Sequence, residues 1–394
     1  MKILLANKFY YRRGGAEVYV LNLESFLQNK GHEVAIFTMQ YPENQESLYK
    51  QYFPSEVSFN PPMKNLSKTA LRPIYSNEVI KNFTRLLGDF QPDVVHLSNV
   101  HSQLSPAIAA IAHKRGIKVV WTLHDYKLLC PRYDCLQNGK MICEECFFNK
   151  HNVLKHNCMK NSLSASIIAY LEAVRWNRKR LEKYTDIFIC PSQFMANKMI
   201  QGGFDKNKMR VLCNFMDTEK TVRNHYDKEN YYCYVGRLSH EKGVETLLSA
   251  AKTLPYKLKV IGGGELREKL EQSLPAASEV ELLGYKQWDE IKEIVGRARF
   301  VVIPSEWYEN NPFSVIEAQC LGTPVLGANI GGIPELIDET NGMLFESRNV
   351  EDLQNKIKQM VETEFDYQSI AKNAQQRYSA ENYYNEILKI YNSK

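Results

Sequence analysis

Short apolar, β-branched runs alternate with stretches of helical periodicity along the whole chain, and the alternation stops and restarts once. Few folds satisfy such a pattern. Strands that are apolar on both faces need cover on both faces, and a helix after each strand supplies it, so parallel sheets wrapped by helices are expected. The first half offers strands at residues 3–7, 34–39, 94–98, 119–124, 187–191 and 211–214. The second half offers them at 232–236, 257–262, 280–283, 300–304, 325–328 and 342–345. Residues 216–230 between them are polar, without an apolar period, and form the expected hinge. At 394 residues the chain exceeds the size at which one core stops growing, and its hydrophobic content of 44% suffices to bury two. The expected organisation is an α/β chain with a first domain at 1–215, a second at 231–377 and a terminal helix at 378–394. That helix carries Tyr383, Tyr384, Ile387, Leu388 and Tyr391 at helical spacing.

Two segments resist the pattern. Residues 41–75 are rich in Pro, Asn, Ser and Tyr and are expected to loop over the first domain, while residues 126–160 form an insertion rich in Cys, Lys and His. Long stretches without regular structure are usually functional or draw order from another source. No run approaches the eighteen or so apolar residues of a membrane span, and the start MKILLANKFYYRRGGAE has too short an apolar run for a signal peptide. A cytoplasmic protein is expected. A net charge of +5 suits anionic substrates or lipid head groups without marking the chain as a nucleic-acid binder.

The chemistry concentrates in residues 304–324, where Glu309 and Glu317 stand eight positions apart on either side of an expected helix start. Asn311 suits the N-cap, Pro312 the first helical position, and Gly322 the helix stop. The free amides then lie near Phe313 and Ser314, where unsatisfied N–H groups and the positive dipole end attract phosphate. Carboxylates repel phosphate but accept hydrogen bonds from sugar hydroxyls, so one glutamate reads as a hexose contact and the other as a ribose contact.

Glu309 and Glu317, with Ala318, Gly322, Pro324 and Val325 after them, resemble the E-x7-E segment of the retaining family 4 glycosyltransferases. Four more segments resemble that family in the same order: GGAE at 14–17, LHD at 123–125, GRLSHEKG at 236–243 and IGGGE at 261–265. Together they cover nearly the whole chain. The resemblance implies the GT-B fold, two Rossmann-like parallel-sheet domains facing a cleft, with the terminal helix crossing back to the first domain.

It also implies roles. Arg237 and Lys242 project from the carboxyl edge of a sheet, where open α/β sheets bind ligands, and in the family such a pair grips the diphosphate and makes a divalent metal unnecessary. Gly263 takes a nucleotide-facing position, with Tyr285 near the base. Gly14 and Gly15 let the backbone approach the donor phosphate and the acceptor closely. His124 aligns the donor sugar; general-base work is the other role open to a histidine. In retaining enzymes of this kind the departing phosphate itself takes the acceptor proton. The implied reaction moves a hexose from a UDP- or GDP-sugar to a saccharide or lipid-linked saccharide in cell-surface polysaccharide synthesis. A GT-B nucleotide-sugar epimerase is the competing enzyme class. His96 and His101 are expected to be structural.

Cys130, Cys135, Cys143, Cys146 and Cys158 cluster in the insertion, and in the cytoplasm such clustering favours a metal. Cys143 and Cys146 make a C-x2-C knuckle that Cys130 and Cys158 flank, which predicts structural zinc, with Cys135 or His156 as substitute ligands. Reduced thiols and disulfides are the alternatives. A subset of family 4 resembles this chain in carrying a Cys-rich segment after the histidine motif. Trp176 with Arg175, Arg178, Lys179, Arg180 and Lys183 forms a basic, aromatic-bearing stretch that suits peripheral contact with anionic lipid at the inner face of the membrane, against the alternative of an ordinary solvated helix face.

Overall fold

Two six-stranded sheets, with every strand pairing parallel, organise the computed structural model, which describes residues 1–56, 72–275 and 278–393. The chain separates into one unit of Met1–Cys213 with Tyr384–Lys394 and a second of Asn214–Tyr383. Each is a Rossmann-like domain of a parallel sheet with flanking helices, the architecture of the GT-B fold. Of the loop expected at 41–75, residues 57–71 lie outside the described residues.

The first domain contains β1 (Lys2–Ala6), β2 (Glu33–Phe37), β3 (Val94–Leu97), β4 (Lys118–Thr122), the short antiparallel pair β5 (Leu136–Gln137) and β6 (Met141–Ile142), then β7 (Ile187–Cys190) and β8 (Met209–Val211). Its sheet runs β2-β1-β3-β4-β7-β8. All four residues of β3 and of β7 are buried, as expected of strands covered on both faces. Trp121 of β4 is fully buried and stacks on His101 at 5.3 Å between centroids, which gives that histidine a place in the core. The terminal helix Ala380–Asn392 contributes its last residues to this domain. There Tyr384 Oη lies 2.7 Å from His32 Nε2, and Tyr391 Oη lies 2.6 Å from His96 Nδ1 on β3.

The second domain contains β9 (Tyr231–Val235), β10 (Lys257–Ile261), β11 (Val280–Gly284), β12 (Val301–Ile303), β13 (Val325–Ala328) and β14 (Gly342–Phe345), in the order β11-β10-β9-β12-β13-β14. Tyr232 of β9 stacks on Phe300 at 5.0 Å, inside a core built from Leu247, Leu248, Leu258, Val260 and Leu353. Each such fully buried aliphatic side chain contributes about 1.5–3 kcal/mol relative to exposure. The sheet order reverses direction between β9 and β12. At such a switch point the loops after adjacent strands diverge and leave a crevice beyond the carboxyl ends. The GRLSHEKG and glutamate motifs are the loops that follow β9 and β12.

The basic stretch after residue 174 differs from its expectation. It is split between helices Leu163–Arg175 and Arg178–Tyr184, and Trp176 in the break is buried at 7% exposure, with the Arg175 guanidinium 4.9 Å from its ring centroid. Burial leaves little of the indole at the surface. No helix among the described residues is long and apolar enough to cross a membrane.

Candidate active site

The loop after β9 is pressed against the end of β12. Gly243 has φ +67°, and a β-carbon there would lie 1.8 Å from the Pro304 carbonyl oxygen, so only glycine permits this approach. The approach carries Lys242 across to the glutamate loop, where its Nζ donates to Glu309 Oε1 at 2.6 Å. The Lys242 ammonium also lies 5.0 Å from the Trp307 ring centroid. Glu309 is buried, and Ser305 Oγ donates to the same carboxylate oxygen at 2.7 Å. Burial pushes the Glu309 pKa up, but the Lys242 charge and these hydrogen bonds outweigh it and hold the carboxyl below its ordinary value. The peptide of Glu309 is gripped from behind. Gly332 N–H donates to the Glu309 carbonyl at 2.7 Å, and a β-carbon on Gly331, at φ +63°, would meet that carbonyl oxygen at 2.3 Å. Ser305, Trp307, Gly331 and Gly332 therefore hold the site although the motifs alone did not single them out. The Gly331–Gly332 doublet was a legible signal; Ser305 and Trp307 had none.

Arg237 behaves differently. Its side chain is 61% exposed and pairs with Glu241 at 3.0 Å, so its charge faces solvent on a pre-ordered loop. That loop rests on the glycine triplet after β10. β-Carbons on Gly262 and Gly264 would lie 1.9 Å from the Gly236 carbonyl oxygen and 2.3 Å from that of Leu238, whereas one on Gly263 would meet nothing within 4 Å. Gly263 is thus the member of the triplet with open space before it. Tyr285, just past β11, is 75% exposed.

The helix after Glu309 runs Phe313–Cys320, and here the expected capping is corrected. Pro312, at φ −70° and ψ 125°, is itself the N-cap residue and makes no side-chain cap. Asn311 is occupied elsewhere: its Oδ1 accepts from the Asn214 backbone N–H at 2.9 Å, and its carbonyl accepts from Asn214 Nδ2 at 2.8 Å. Proline lacks a side-chain acceptor, so Phe313 and Ser314 open a helix whose N-cap residue offers its first amides no side-chain oxygen. Glu317, half-buried, lies one turn inside. Gly322 ends the helix as expected, at φ +73° with its N–H on the Gln319 carbonyl.

In the first domain, Gly14 is the N-cap of helix Gly15–Asn29, again without a side-chain cap, and both glycines are exposed. His124 follows β4. Its ring packs edge-on against Tyr19 at 4.7 Å, and its buried Nε2 has no hydrogen-bond partner among the described residues. Burial pulls its pKa down to about 3, so the imidazole is neutral near pH 7. Beneath it Thr122 Oγ1 bonds Tyr19 Oη at 3.2 Å and His96 Nε2 at 2.7 Å. His96 is likewise brought to about 3, by burial and by the nearby His124. The structural reading of His96 thus acquires specific partners, Thr122 and Tyr391.

The zinc expectation at Cys130, Cys143, Cys146 and Cys158 gains no positive support. Among the described residues no group of three or more His, Cys, Asp or Glu side chains is arranged to hold a metal, and all nine cysteines are free thiols. The Cys130 thiol is instead hydrogen-bonded to Cys135, which lowers its pKa to about 7 despite burial. Cys146 and Cys158 pack with Val153 as small apolar groups.

With this geometry in view, the comparisons with known proteins are consistent along the whole chain. The profile of Glycosyltransferase Family 4 matches residues 13–220, and that of Glycosyl transferases group 1 matches residues 215–377. An uncharacterized 42.6 kDa protein in the cps region of Klebsiella pneumoniae is 27% identical over 85% of this chain and 87% of its own length. The sulfoquinovosyl transferase SQD2 of Arabidopsis thaliana is 25% identical over 86% of this chain and 62% of its own. Among solved structures, Anabaena Alr3699/HepE in complex with UDP and glucose superposes with a TM-score of 0.69 at 19% identity, covering 100% of both chains.

Proposed function

The chain belongs to glycosyltransferase family 4, and from that premise we propose that it is a retaining transferase moving a hexose from a UDP- or GDP-sugar to a saccharide or lipid-linked saccharide acceptor in cell-surface polysaccharide synthesis. The observation that carries the reading is the Lys242–Glu309 pair, set at a sheet switch point in the loop that leads into a helix whose N-cap, Pro312, makes no side-chain cap. Departure of a nucleoside diphosphate builds negative charge on phosphate, and preordered cations and amides stabilise that charge at the moment it forms. Lys242 and Arg237 supply the cations. The first turn of helix Phe313–Cys320 supplies the amides. Glu309 accepts from a hexose hydroxyl and Glu317 from the ribose, while Gly263 and Tyr285 border the nucleotide.

His124 aligns the sugar in this reading. A neutral imidazole whose conjugate acid titrates near pH 3 is a poor proton acceptor at neutral pH but a competent hydrogen-bonding partner, and its buried Nε2 is an atom in need of one. The departing phosphate takes the acceptor proton, which keeps transfer on one face of the sugar. Gly14 and Gly15 give the phosphate or acceptor close access to backbone amides. Uridine is the better supported base, because the similar Anabaena protein is held with UDP and glucose. A lipid-linked acceptor places the work at the cytoplasmic face of a membrane. No step is assigned to the Cys-rich segment.

A thermal-shift panel of UDP- and GDP-sugars tests the reading, since a ligand that binds only the folded state raises its stability by mass action. One nucleotide series is expected to raise the melting temperature, and the anomeric configuration of the transferred sugar, read by proton NMR, is expected to match the donor. An inverted product would overturn the retaining mechanism. Epimer formation without acceptor would overturn transfer itself.

A further inference from the structure

Helix Leu163–Arg175 is amphipathic the wrong way round. Its protein-facing side is small and polar: Ser166, Ala169 and Glu172 are buried. Ser166 Oγ accepts from the Met159 N–H at 3.2 Å. Glu172 is held by the Ser102 N–H at 2.9 Å and by Lys127 Nζ at 3.0 Å, in an ion pair whose side chains are only 10% and 6% exposed. Its solvent side carries Leu163, Ile167, Leu171 and Val174, which are 57%, 41%, 45% and 45% exposed. At about 100° per residue these positions fall within a single stripe roughly 80° wide. A water-exposed helix normally turns charged residues outward. Here burial of the Glu172–Lys127 pair fixes the rotation and leaves the aliphatic stripe outside.

At the carboxyl end of the stripe the chain turns strongly basic. Residues 173–184 contain Arg175, Arg178, Lys179, Arg180 and Lys183 against one carboxylate, Glu182. Arg178, Lys179, Arg180 and Lys183 are exposed. Glu182 accepts from the Asp205 backbone N–H and so is tied inward.

We propose that the stripe Leu163, Ile167, Leu171 and Val174, with the adjoining cations of residues 175–183, is a docking surface for an anionic lipid bilayer, the helix lying in the headgroup plane. Charge complementarity selects this occupant: aliphatic side chains enter the acyl boundary while lysines and arginines meet lipid phosphates. A second copy of the chain is a poorer fit, because a two-fold contact presents the same patch on both sides and brings like charges together. The proposal sharpens the membrane contact expected from sequence by moving its apolar element from buried Trp176 to the preceding helix. It does not rest on the donor site.

The test is flotation of the full-length protein with vesicles of phosphatidylcholine alone and of phosphatidylcholine with about one third phosphatidylglycerol, at low and high salt. Wild type is expected to partition at least tenfold more onto the anionic vesicles, with the gain lost at high salt. The Ile167→Ser, Leu171→Ser double variant and the Lys179→Glu, Lys183→Glu double variant are each expected to lose roughly tenfold or more in partition. Their melting temperatures should stay near wild type, because all four positions are exposed. Equal recovery on the two vesicle types would overturn the proposal, as would wild-type binding by the serine variant. A dimer in light scattering that the serine variant abolishes, without vesicle binding, would make the surface a self-association face instead.

Discussion

Lys242 and Glu309, 67 residues apart in the chain, meet in a 2.6 Å ion pair that ties the loop after β9 to the loop after β12. The carboxylate is almost fully buried and the ammonium partly so. The pair keeps Glu309 ionised without substrate and holds Lys242 against the loop that leads into helix Phe313–Cys320. Charge is thus ordered before any ligand arrives, which is the condition under which electrostatic stabilisation costs no reorganisation during reaction.

Lys242→Ala removes the cation and strands a buried carboxylate. Turnover is expected to fall roughly a hundredfold or more, and the melting temperature to drop because a buried charge has lost its partner. Adding Glu309→Gln to that variant should restore part of the stability and none of the turnover. Unchanged turnover of Lys242→Ala would place the diphosphate elsewhere.

The glycines separate packing from binding. Gly243→Ala and Gly264→Ala force a β-carbon onto backbone oxygens and are expected to destabilise by about 1–3 kcal/mol or more. Gly263→Ala meets open space, so its melting temperature should stay near wild type while affinity for the nucleotide falls. Calorimetric titration with UDP or GDP reads the second effect; wild-type affinity in Gly263→Ala would remove this residue from the nucleotide site.

Acid sensitivity follows from the two histidines near Thr122. Burial holds His96 and His124 neutral down to about pH 3, whereas an unfolded chain protonates both near 6.5. The unfolded state therefore binds more protons below pH 6.5. Each group contributes stability that is fully present above that pH and lost at about 1.4 kcal/mol per pH unit as pH falls toward 3. The melting temperature is expected to fall between pH 6.5 and 4.5, and less steeply in a His96→Gln variant. Parallel slopes would show that His96 is not held neutral.

Asn311→Ala leaves the buried Asn214 N–H without its acceptor and is expected to cost about 1–3 kcal/mol. Loosening the turn ahead of helix Phe313–Cys320 should also weaken nucleotide binding. A nucleotide affinity equal to wild type would show that this anchor serves only stability.

Much of the fold was legible because strands covered on both faces leave nearly continuous apolar runs, and β3, β7 and β9 lie within a residue or so of where those runs put them. Gly322 was legible because a left-handed backbone admits few other residues. The use made of Asn311 was not. Its side chain suits an N-cap locally, and the competing partner, the Asn214 peptide, lies 97 residues away. Ser305 and Trp307 were hidden for the same reason: a short-range motif does not say which side chains long-range packing will bring to a carboxylate.

Helix Leu163–Arg175 marks the boundary most sharply. Local order in the chain alone determined that a helix forms and that its aliphatic side chains share one side, since both follow from the 3.6-residue period. Which way that side turns was decided only in three dimensions. A helix has the same periodicity in either rotation, and it took the burial of Glu172 against Lys127, brought together from 45 positions apart, to set the rotation and leave the aliphatic side to the solvent.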